Sequence, residues 1–189
     1  MRLFVAIDLD DDARKAIADA QHRIAKTLGA DRSVKWVNPS HIHLTLVFVG
    51  EVADSAVPGI PEIVDALSAD IDVRPFPAVF EGLGVFPPRG APRVLWLGVG
   101  EGADEVVDLQ RRVASRLARV GVMLESRPFH PHLTLARWRA SRPADRKRVL
   151  SADARVPVVG VGVDHITLYH SRLLPAGPAY LTLARANLT

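Results

Sequence analysis

The chain uses one short phrase twice, and each copy carries an imidazole and a hydroxyl two residues apart. Residues 39–46 and 128–135 both read P-x-H-x-H-L-T-L, at a constant offset of 89 residues (132 − 43 = 89). An extended strand sends alternate side chains to opposite faces. His43 and Thr45 therefore share one face of a strand, and so do His132 and Thr134. Two such strands side by side would present two imidazoles and two hydroxyls to one cleft.

Two imidazoles, whose ordinary pKa lies near neutrality, can divide acid and base catalysis between them. A neutral ring can accept a proton from attacking water while a protonated ring donates to the leaving oxygen. A phosphodiester suits this chemistry because charge builds on its non-bridging oxygens while protons move at both ends. The threonine hydroxyls could hold those oxygens. The pattern thus indicates a phosphodiesterase that needs no metal or other cofactor.

Three other interpretations of these residues stay open. His41 and His130 each stand two residues before the inner histidine, so that four imidazoles could bind a divalent metal in a metal-dependent hydrolase. Both inner rings could instead be merely buried and hydrogen-bonded, although two copies with matching neighbours argue against this. In a non-catalytic RNA-binding module, aromatic side chains would stack on bases. The candidates for stacking are Trp36, Phe48, Phe129 and Trp138.

A third H-x-T sequence occurs at His165 and Thr167, within His165-Ile166-Thr167-Leu168. This copy has Val161 where the others have proline and Val163 where they have the outer histidine. We interpret it as an ordinary strand that happens to carry the pattern and assign it no catalytic role.

Composition sets the general class of the protein. The 189 residues are 48% hydrophobic and 24% charged, include no cysteine and carry a net charge of +3, as in ordinary globular proteins. No dense basic or acidic run occurs, which argues against strong non-specific duplex binding. Residues 3–7 are apolar but are followed at once by Asp8, a run too short for a signal peptide or a membrane span. We therefore expect a cytoplasmic monomer without membrane association.

The elements that must position the two phrases follow from periodicity and turn signals. Helices are predicted after the capping residues 10–12 to residue 28, at 60–67, at 104–120 with Asp104 as the cap, and at 143–150. Strands are predicted at 2–9, 34–37, 73–81, 93–99, 156–163, 166–171 and 179–184, besides the two that carry the phrases. Residues 82–90 are predicted to form a loop in which Gly82 and Gly84 mark a turn.

The order of these elements indicates the fold class. Several neighbouring strands are joined by connections too short for a crossover, which favours antiparallel sheets with helices packed outside, the α+β class. The repeat predicts two similar lobes that face each other. Because no low-complexity linker separates the lobes, residues 1–189 are expected to form a single domain.

On these residues the chain resembles the 2H phosphoesterases, and among them the bacterial and archaeal RNA 2′,3′-cyclic phosphodiesterases, also called 2′-5′ RNA ligases. The paired H-x-T motifs are specific when both occur in this setting, and the likeness runs nearly from end to end. The segments that carry it are residues 3–8, 36–50, 82–87, 93–98, 129–137, 168–171 and 177–180.

The resemblance implies a bilobal α+β fold with pseudo-two-fold symmetry, whose two motifs face each other across a central cleft. It also implies an enzyme that opens a 2′,3′-cyclic phosphate at an RNA end to leave a 2′-phosphate, with weak reverse joining to a 2′-5′ linkage. Carried over, His43 is the proton donor to the leaving 3′ oxygen and His132 the proton acceptor that activates water. Thr45, Thr134 and Arg137 bind the substrate phosphate.

The family does not require histidine at the positions of His41, His130 or His165, so these residues receive no catalytic role. The two phrases are too alike for the sequence alone to distinguish acid from base. The substrates compatible with the resemblance are tRNA fragments, short oligonucleotides and small cyclic nucleotides.

Overall fold

The computed structural model describes residues 1–29, 32–53, 56, 58–124, 128–152, 159–175 and 177–189. The helices in these residues are α1 (Asp11–Leu28), α2 (Ile60–Ala66), α3 (Ala103–Arg119) and α4 (Pro143–Leu150), with a 3₁₀ turn at Pro39–His41. The strands are β1 (Arg2–Ile7), β2 (Val34–Trp36), β3 (Leu44–Glu51), β4 (Phe76–Phe86), β5 (Val94–Val99), β6 (His132–Trp138), β7 (Val159–Val163), β8 (His165–Leu174) and β9 (Gly177–Asn187).

The strands form a curled antiparallel sheet in the order β7-β4-β5-β6-β3-β1-β8-β9, with β2 paired to β6. Its two halves meet at β3 and β6, which pair through the single residue pair Leu44 and Leu133. The prediction of an α+β fold with antiparallel sheets and two lobes is therefore confirmed. The two expected sheets are contiguous because this one pair joins them.

The two halves repeat one β-α-β unit. β1-α1-β3 forms the first unit and β5-α3-β6 the second, and their helices begin 92 residues apart (103 − 11 = 92). Leu44 and Leu133 are equivalent residues of the two phrases (133 − 44 = 89). Because equivalent residues of antiparallel strands face each other there, a local two-fold axis passes between them. The pseudo-symmetry implied by the repeat is thus centred on the two motifs.

The helices cover the face of the sheet that carries the apolar side chains. Helix α1 begins after Asp10, whose carboxylate accepts a hydrogen bond from the Ala13 backbone N–H at 2.7 Å, and ends at Gly29, whose φ is +71°. Its buried apolar positions follow helical spacing and pack in the same core as those of α3. These apolar positions are Ala13, Ile17, Ala20, Ile24 and Leu28 in α1, and Val106, Leu109, Val113 and Leu117 in α3.

The prediction of a loop from residue 82 is wrong, because β4 continues to Phe86. Gly82, with φ at +74°, lies at a register shift within the strand rather than in a turn. Gly84 lies under the ring of Trp96, where an added Cβ would come within 2.0 Å of a ring carbon. Glycine therefore permits a close cross-strand contact here.

The remaining differences concern the ends of elements. Asp104 does not cap α3, because Gly102 occupies the N-cap and Asp104 lies in the first turn. β4 begins at Phe76 instead of residue 73, and β9 runs to Asn187 instead of residue 184. The first part of the predicted strand at 156–163 lies outside the described residues. Among the described residues, no helix is long and apolar enough to cross a membrane.

Candidate active site

His43 and His132 are held in the same way at the starts of β3 and β6. Each ring Nδ1 contacts the backbone carbonyl two residues earlier, His43 that of His41 at 2.8 Å and His132 that of His130 at 2.7 Å. Since a carbonyl oxygen only accepts hydrogen bonds, Nδ1 carries the proton in both neutral rings, and Nε2 is the free acceptor. Both halves therefore offer the same ring nitrogen for proton transfer.

The motif residues gather around the pair that joins the two halves. Leu44 and Leu133 are fully buried, so the alternate residues of both strands lie on the opposite, open face of the sheet. In an antiparallel pair, the residue before one partner stands opposite the residue after the other. His43 and Thr134 thus flank the axis on one side, and Thr45 and His132 flank it on the other.

Arg137 reaches the same face because β6 is irregular. Simple alternation along β6 would place Arg137 and Thr134 on opposite faces of the sheet. However, the register between β6 and β5 shifts after Thr134, so that Leu135 has no partner on β5. The shift returns Arg137 to the open face. The Leu135 carbonyl accepts hydrogen bonds from the buried Gln21 side chain at 3.0 Å and from the Val37 backbone N–H at 2.9 Å.

β3 contains the equivalent irregularity. Its register with β1 shifts between Val5 and Ala6, which leaves Leu46 unpaired and turns Phe48 to the open face. Phe48 is the repeat-related position of Arg137 (137 − 48 = 89) and its side chain is 60% exposed. The open face therefore carries an arginine in one half and an exposed aromatic ring at the equivalent place in the other.

Aromatic rings pack around both histidines. In the first half the Phe4 ring stacks on His43 at 4.8 Å and on Tyr169 at 5.3 Å, while Tyr180 meets His43 edge-on at 5.4 Å. In the second half the rings of Phe86 and Trp96 lie 5.2 Å and 6.1 Å from His132. Tyr169 and Tyr180 come from β8 and β9, so the sequence spacing of the motifs gave no signal for these contacts.

Burial lowers the pKa of both imidazoles. Desolvation is the main reason that the pKa of His43 falls to about 4, and Arg14 and His41 lower it further, against the hydrogen bond to the His41 carbonyl and the charge of Asp8. Desolvation likewise lowers the pKa of His132, with His130 and Arg137 acting in the same direction. The expectation of a pKa near neutrality is therefore wrong for His43, whose ring is neutral at pH 7 in the free protein, and burial shifts the pKa of His132 in the same direction.

One cavity lies beside His43 and another beside the outer histidine His130, and the two differ in character. A cavity of about 270 Å³ in the first half is bordered by His43, Asp8 and Arg14. Arg14 is fixed there by donating to the backbone carbonyls of Leu9 at 2.9 Å and Ser40 at 2.8 Å. A cavity of about 440 Å³ in the second half has a more apolar lining, with Leu83, Trp96, Val107, His130 and Pro131.

The geometry does not favour the alternative of a metal site. Among the described residues, no group of three or more His, Cys, Asp or Glu side chains is placed to hold a metal ion. The outer histidines have separate aromatic partners, His41 at 5.3 Å from Tyr180 and His130 at 4.8 Å from Trp96.

The stacking candidates of the RNA-binding alternative are mostly inaccessible. Trp138 is a core residue with 8% exposure, so its prediction as a stacking surface is wrong, while Trp36 and Phe129 are half-buried against the core. Phe48 alone of the four is exposed.

Comparison with known proteins places the chain in a family. A sequence model of the 2′-5′ RNA ligase superfamily matches residues 5–175. The chain is 36% identical to an RNA 2′,3′-cyclic phosphodiesterase of Archaeoglobus fulgidus over 97% of this chain and 98% of that protein. It is 37% identical to one of Methanothermobacter thermautotrophicus over 95% of each chain.

Solved structures give the same result. A protein of Thermus thermophilus matches with a TM-score of 0.78 at 30% identity, covering 99% of this chain and 97% of that one. E. coli LigT complexed with 3′-AMP matches with a TM-score of 0.71 at 29% identity, covering 100% of this chain and 98% of that one. Sequence and structure agree over nearly the whole length, and the chain therefore belongs to the 2′-5′ RNA ligase superfamily.

Proposed function

We propose that the chain hydrolyses 2′,3′-cyclic phosphate ends of RNA to 2′-phosphates, with His43 and His132 as the general acid and base. The observation that carries this proposal is the identical anchoring of two imidazoles on either side of one two-fold axis, each with Nε2 free. Two relatives with 36% and 37% identity are RNA 2′,3′-cyclic phosphodiesterases, which supports the same reaction.

In the proposed reaction, Nε2 of His132 takes a proton from water as the water oxygen attacks phosphorus. The bond between phosphorus and the 3′ oxygen breaks, and Nε2 of protonated His43 gives its proton to that oxygen. The product is a 2′-phosphomonoester with a free 3′-hydroxyl. Thr45 and Thr134 donate hydrogen bonds to the non-bridging oxygens, and Arg137 adds a positive charge beside them.

The low pKa of His43 couples protonation to substrate binding. Since this pKa is about 4 in the free protein, the ring is neutral at pH 7 before substrate binds. A cyclic phosphodiester carries one negative charge, and a negative charge near an imidazole favours its protonated form. The substrate itself would thus recruit the proton that His43 later donates.

The open face also indicates the kind of substrate. Phe48 is 60% exposed near the motif threonines, where a base of the RNA end could stack. RNA ends, including tRNA fragments, and small cyclic nucleotides all present the required cyclic phosphate. The reverse reaction, run weakly, would join RNA ends through a 2′-5′ linkage. We propose that the chain acts as a cytoplasmic monomer and as one catalytic unit.

The test is incubation of the protein with a 2′,3′-cyclic nucleotide and excess EDTA, followed by identification of the product by ³¹P NMR. The expected product is the 2′-phosphate, formed at the same rate with and without EDTA. A 3′-phosphate would contradict the assignment of the leaving oxygen, and loss of activity with EDTA would favour the metal-dependent alternative. RNA affinity without turnover would favour the binding module.

A further inference from the structure

The third H-x-T sequence lies beside the carboxylate of Asp8. Asp8 follows β1 directly, and its side chain is 16% exposed. The Thr167 hydroxyl donates to Oδ2 of Asp8 at 2.7 Å, and the Tyr169 hydroxyl donates to Oδ1 at 2.7 Å. Nε2 of His165 lies 3.6 Å from Oδ2. Two alternate residues of β8, Thr167 and Tyr169, therefore fix both oxygens of one carboxylate.

This carboxylate stands beside His43. Asp8, Tyr169 and His43 border the same cavity, and the Phe4 ring is stacked on both His43 and Tyr169. A negative charge at this place favours the protonated form of the His43 ring. The position of Asp8 is fixed by β8 rather than by His43, so the charge stays in place whether or not the ring is protonated.

The other groups that face His43 do not supply a negative charge. Arg14 of α1 and His41 of the 3₁₀ turn oppose protonation of the ring. The Tyr169 and Tyr180 hydroxyls are neutral, because burial and, for Tyr169, the bond to Asp8 raise their pKa values, that of Tyr169 to about 12. Two groups thus favour the protonated form of the His43 ring: the His41 carbonyl, through a hydrogen bond, and Asp8, through its negative charge.

His132 lacks this arrangement. Ile7 pairs with Leu44 as Leu97 pairs with Leu133, so the residue equivalent to Asp8 in the second β-α-β unit is Gly98 (98 − 8 = 90), which has no side chain. The charged groups that act on His132 are His130 and Arg137, and both disfavour a proton on the ring. The two histidines are anchored alike, but only His43 has a carboxylate among the groups that act on it.

We propose that the third H-x-T sequence contributes to a positioning set in which Thr167 and Tyr169 hold Asp8 beside His43, so that the charge of Asp8 favours the protonated form of the His43 ring. The inference rests on the proposed phosphodiesterase activity. It adds to the proposed mechanism the residues that offset the burial of His43. Asp8, Thr167 and Tyr169 are positioning residues that act through His43.

The test compares Asp8→Asn with Asp72→Asn. Asp72 is the matched control, because its carboxylate is fully exposed and contacts Arg112 at 3.9 Å rather than any group beside His43. The ring signals of His43 and His132 are titrated by NMR with saturating inorganic phosphate. kcat and KM for a 2′,3′-cyclic nucleotide are measured across the same pH range.

We expect Asp8→Asn to move the titration of His43 to lower pH by about one unit, equivalent to about tenfold in the proton affinity of the ring. The titration of His132 should not move, kcat should fall about tenfold or more, and the alkaline limb of its pH profile should shift to lower pH. Asp72→Asn should match the wild type in each measurement.

An unchanged His43 titration and pH profile in Asp8→Asn, with an active wild type, would overturn the inference and leave the proposed function intact. An inactive wild type would instead refute the proposed function, while the titration would still test the effect of Asp8 on His43. If Asp8→Asn does not fold, Thr167→Val and Tyr169→Phe each remove one hydroxyl donor. Smaller shifts of His43 in the same direction would support the inference, and no shift in either variant would overturn it.

Discussion

Replacing Gln21 with leucine should destabilise the protein and impair catalysis at a site that Gln21 does not touch. Its amide donates to the backbone carbonyls of Val37 at 2.8 Å and Leu135 at 3.0 Å, and the side chain is buried with 6% exposure. Each bond contributes about 0.5–1.5 kcal/mol net, so the loss of both should cost about 1–3 kcal/mol. In a chain of this size, that loss lowers Tm by roughly 2–12 °C.

The catalytic effect follows from the register shift in β6. Leu135 has no partner on β5 at this shift, and its carbonyl is held from the β2 side by Gln21 and the Val37 N–H. The same shift turns Arg137 to the open face. If the loss of Gln21 loosens the backbone at this register shift, the contact of Arg137 with the substrate phosphate should weaken. We expect kcat/KM to fall by up to about tenfold, which corresponds to about 1.4 kcal/mol. The remaining bond from the Val37 N–H limits the loss.

The assay is a double-mutant cycle on kcat/KM with Gln21→Leu and Arg137→Ala, accompanied by thermal unfolding of each variant. If Gln21 acts through Arg137, the effect of Gln21→Leu should largely disappear in the Arg137→Ala background. Gln110→Leu is the matched control, a half-buried glutamine on α3, and should change stability by less than about 0.5 kcal/mol. Additive effects of the two substitutions on kcat/KM would refute the coupling.

Three further predictions test other parts of the structure. Arg137→Lys should raise KM for a cyclic nucleotide, and Arg137→Ala should raise it further, because lysine keeps the charge but loses the planar fork; equal KM values in wild type and both variants would exclude a phosphate contact. Gly84→Ala should cost about 1–3 kcal/mol in thermal unfolding, because the new Cβ would meet the Trp96 ring, whereas Gly162→Ala has open space and should be neutral or slightly stabilising. Stability should fall as pH drops from 6.5 towards 4, because the pKa of His43 is depressed in the folded state and the unfolded chain binds more protons; a flat unfolding profile over that range would contradict the burial argument.

Secondary structure was predicted best where residues close in sequence determine it. The capping residue and spacing of α1 fixed both of its ends, and the duplicated phrase located the strands that meet at the two-fold axis. The alternation of β3 and β6 also placed the histidines and threonines on one face. These features depend on neighbours a few residues away.

Sequence-based prediction was poor where the local structure depends on contacts with a strand far away in the chain. Residues 82–86 are rich in glycine and resemble a loop, but Trp96 of β5 packs over Gly84 and the strand continues. Arg137 shares the face of His132 only because of a shift relative to β5, which alternation within β6 does not reveal. Asp8 and Thr167, 159 residues apart in the chain, meet only because β8 pairs with β1.

The proposed two-histidine mechanism is tested most directly by kcat for a 2′,3′-cyclic nucleotide in four variants: His43→Ala, His132→Ala, His41→Ala and His130→Ala. The first two should lose about 10²–10⁴-fold, the usual contribution of a general acid or base, while keeping the wild-type Tm within a few degrees. The outer histidines contribute backbone carbonyls, which alanine retains, so their variants should keep most of the activity. More than about a tenth of wild-type kcat in either inner variant would contradict the mechanism.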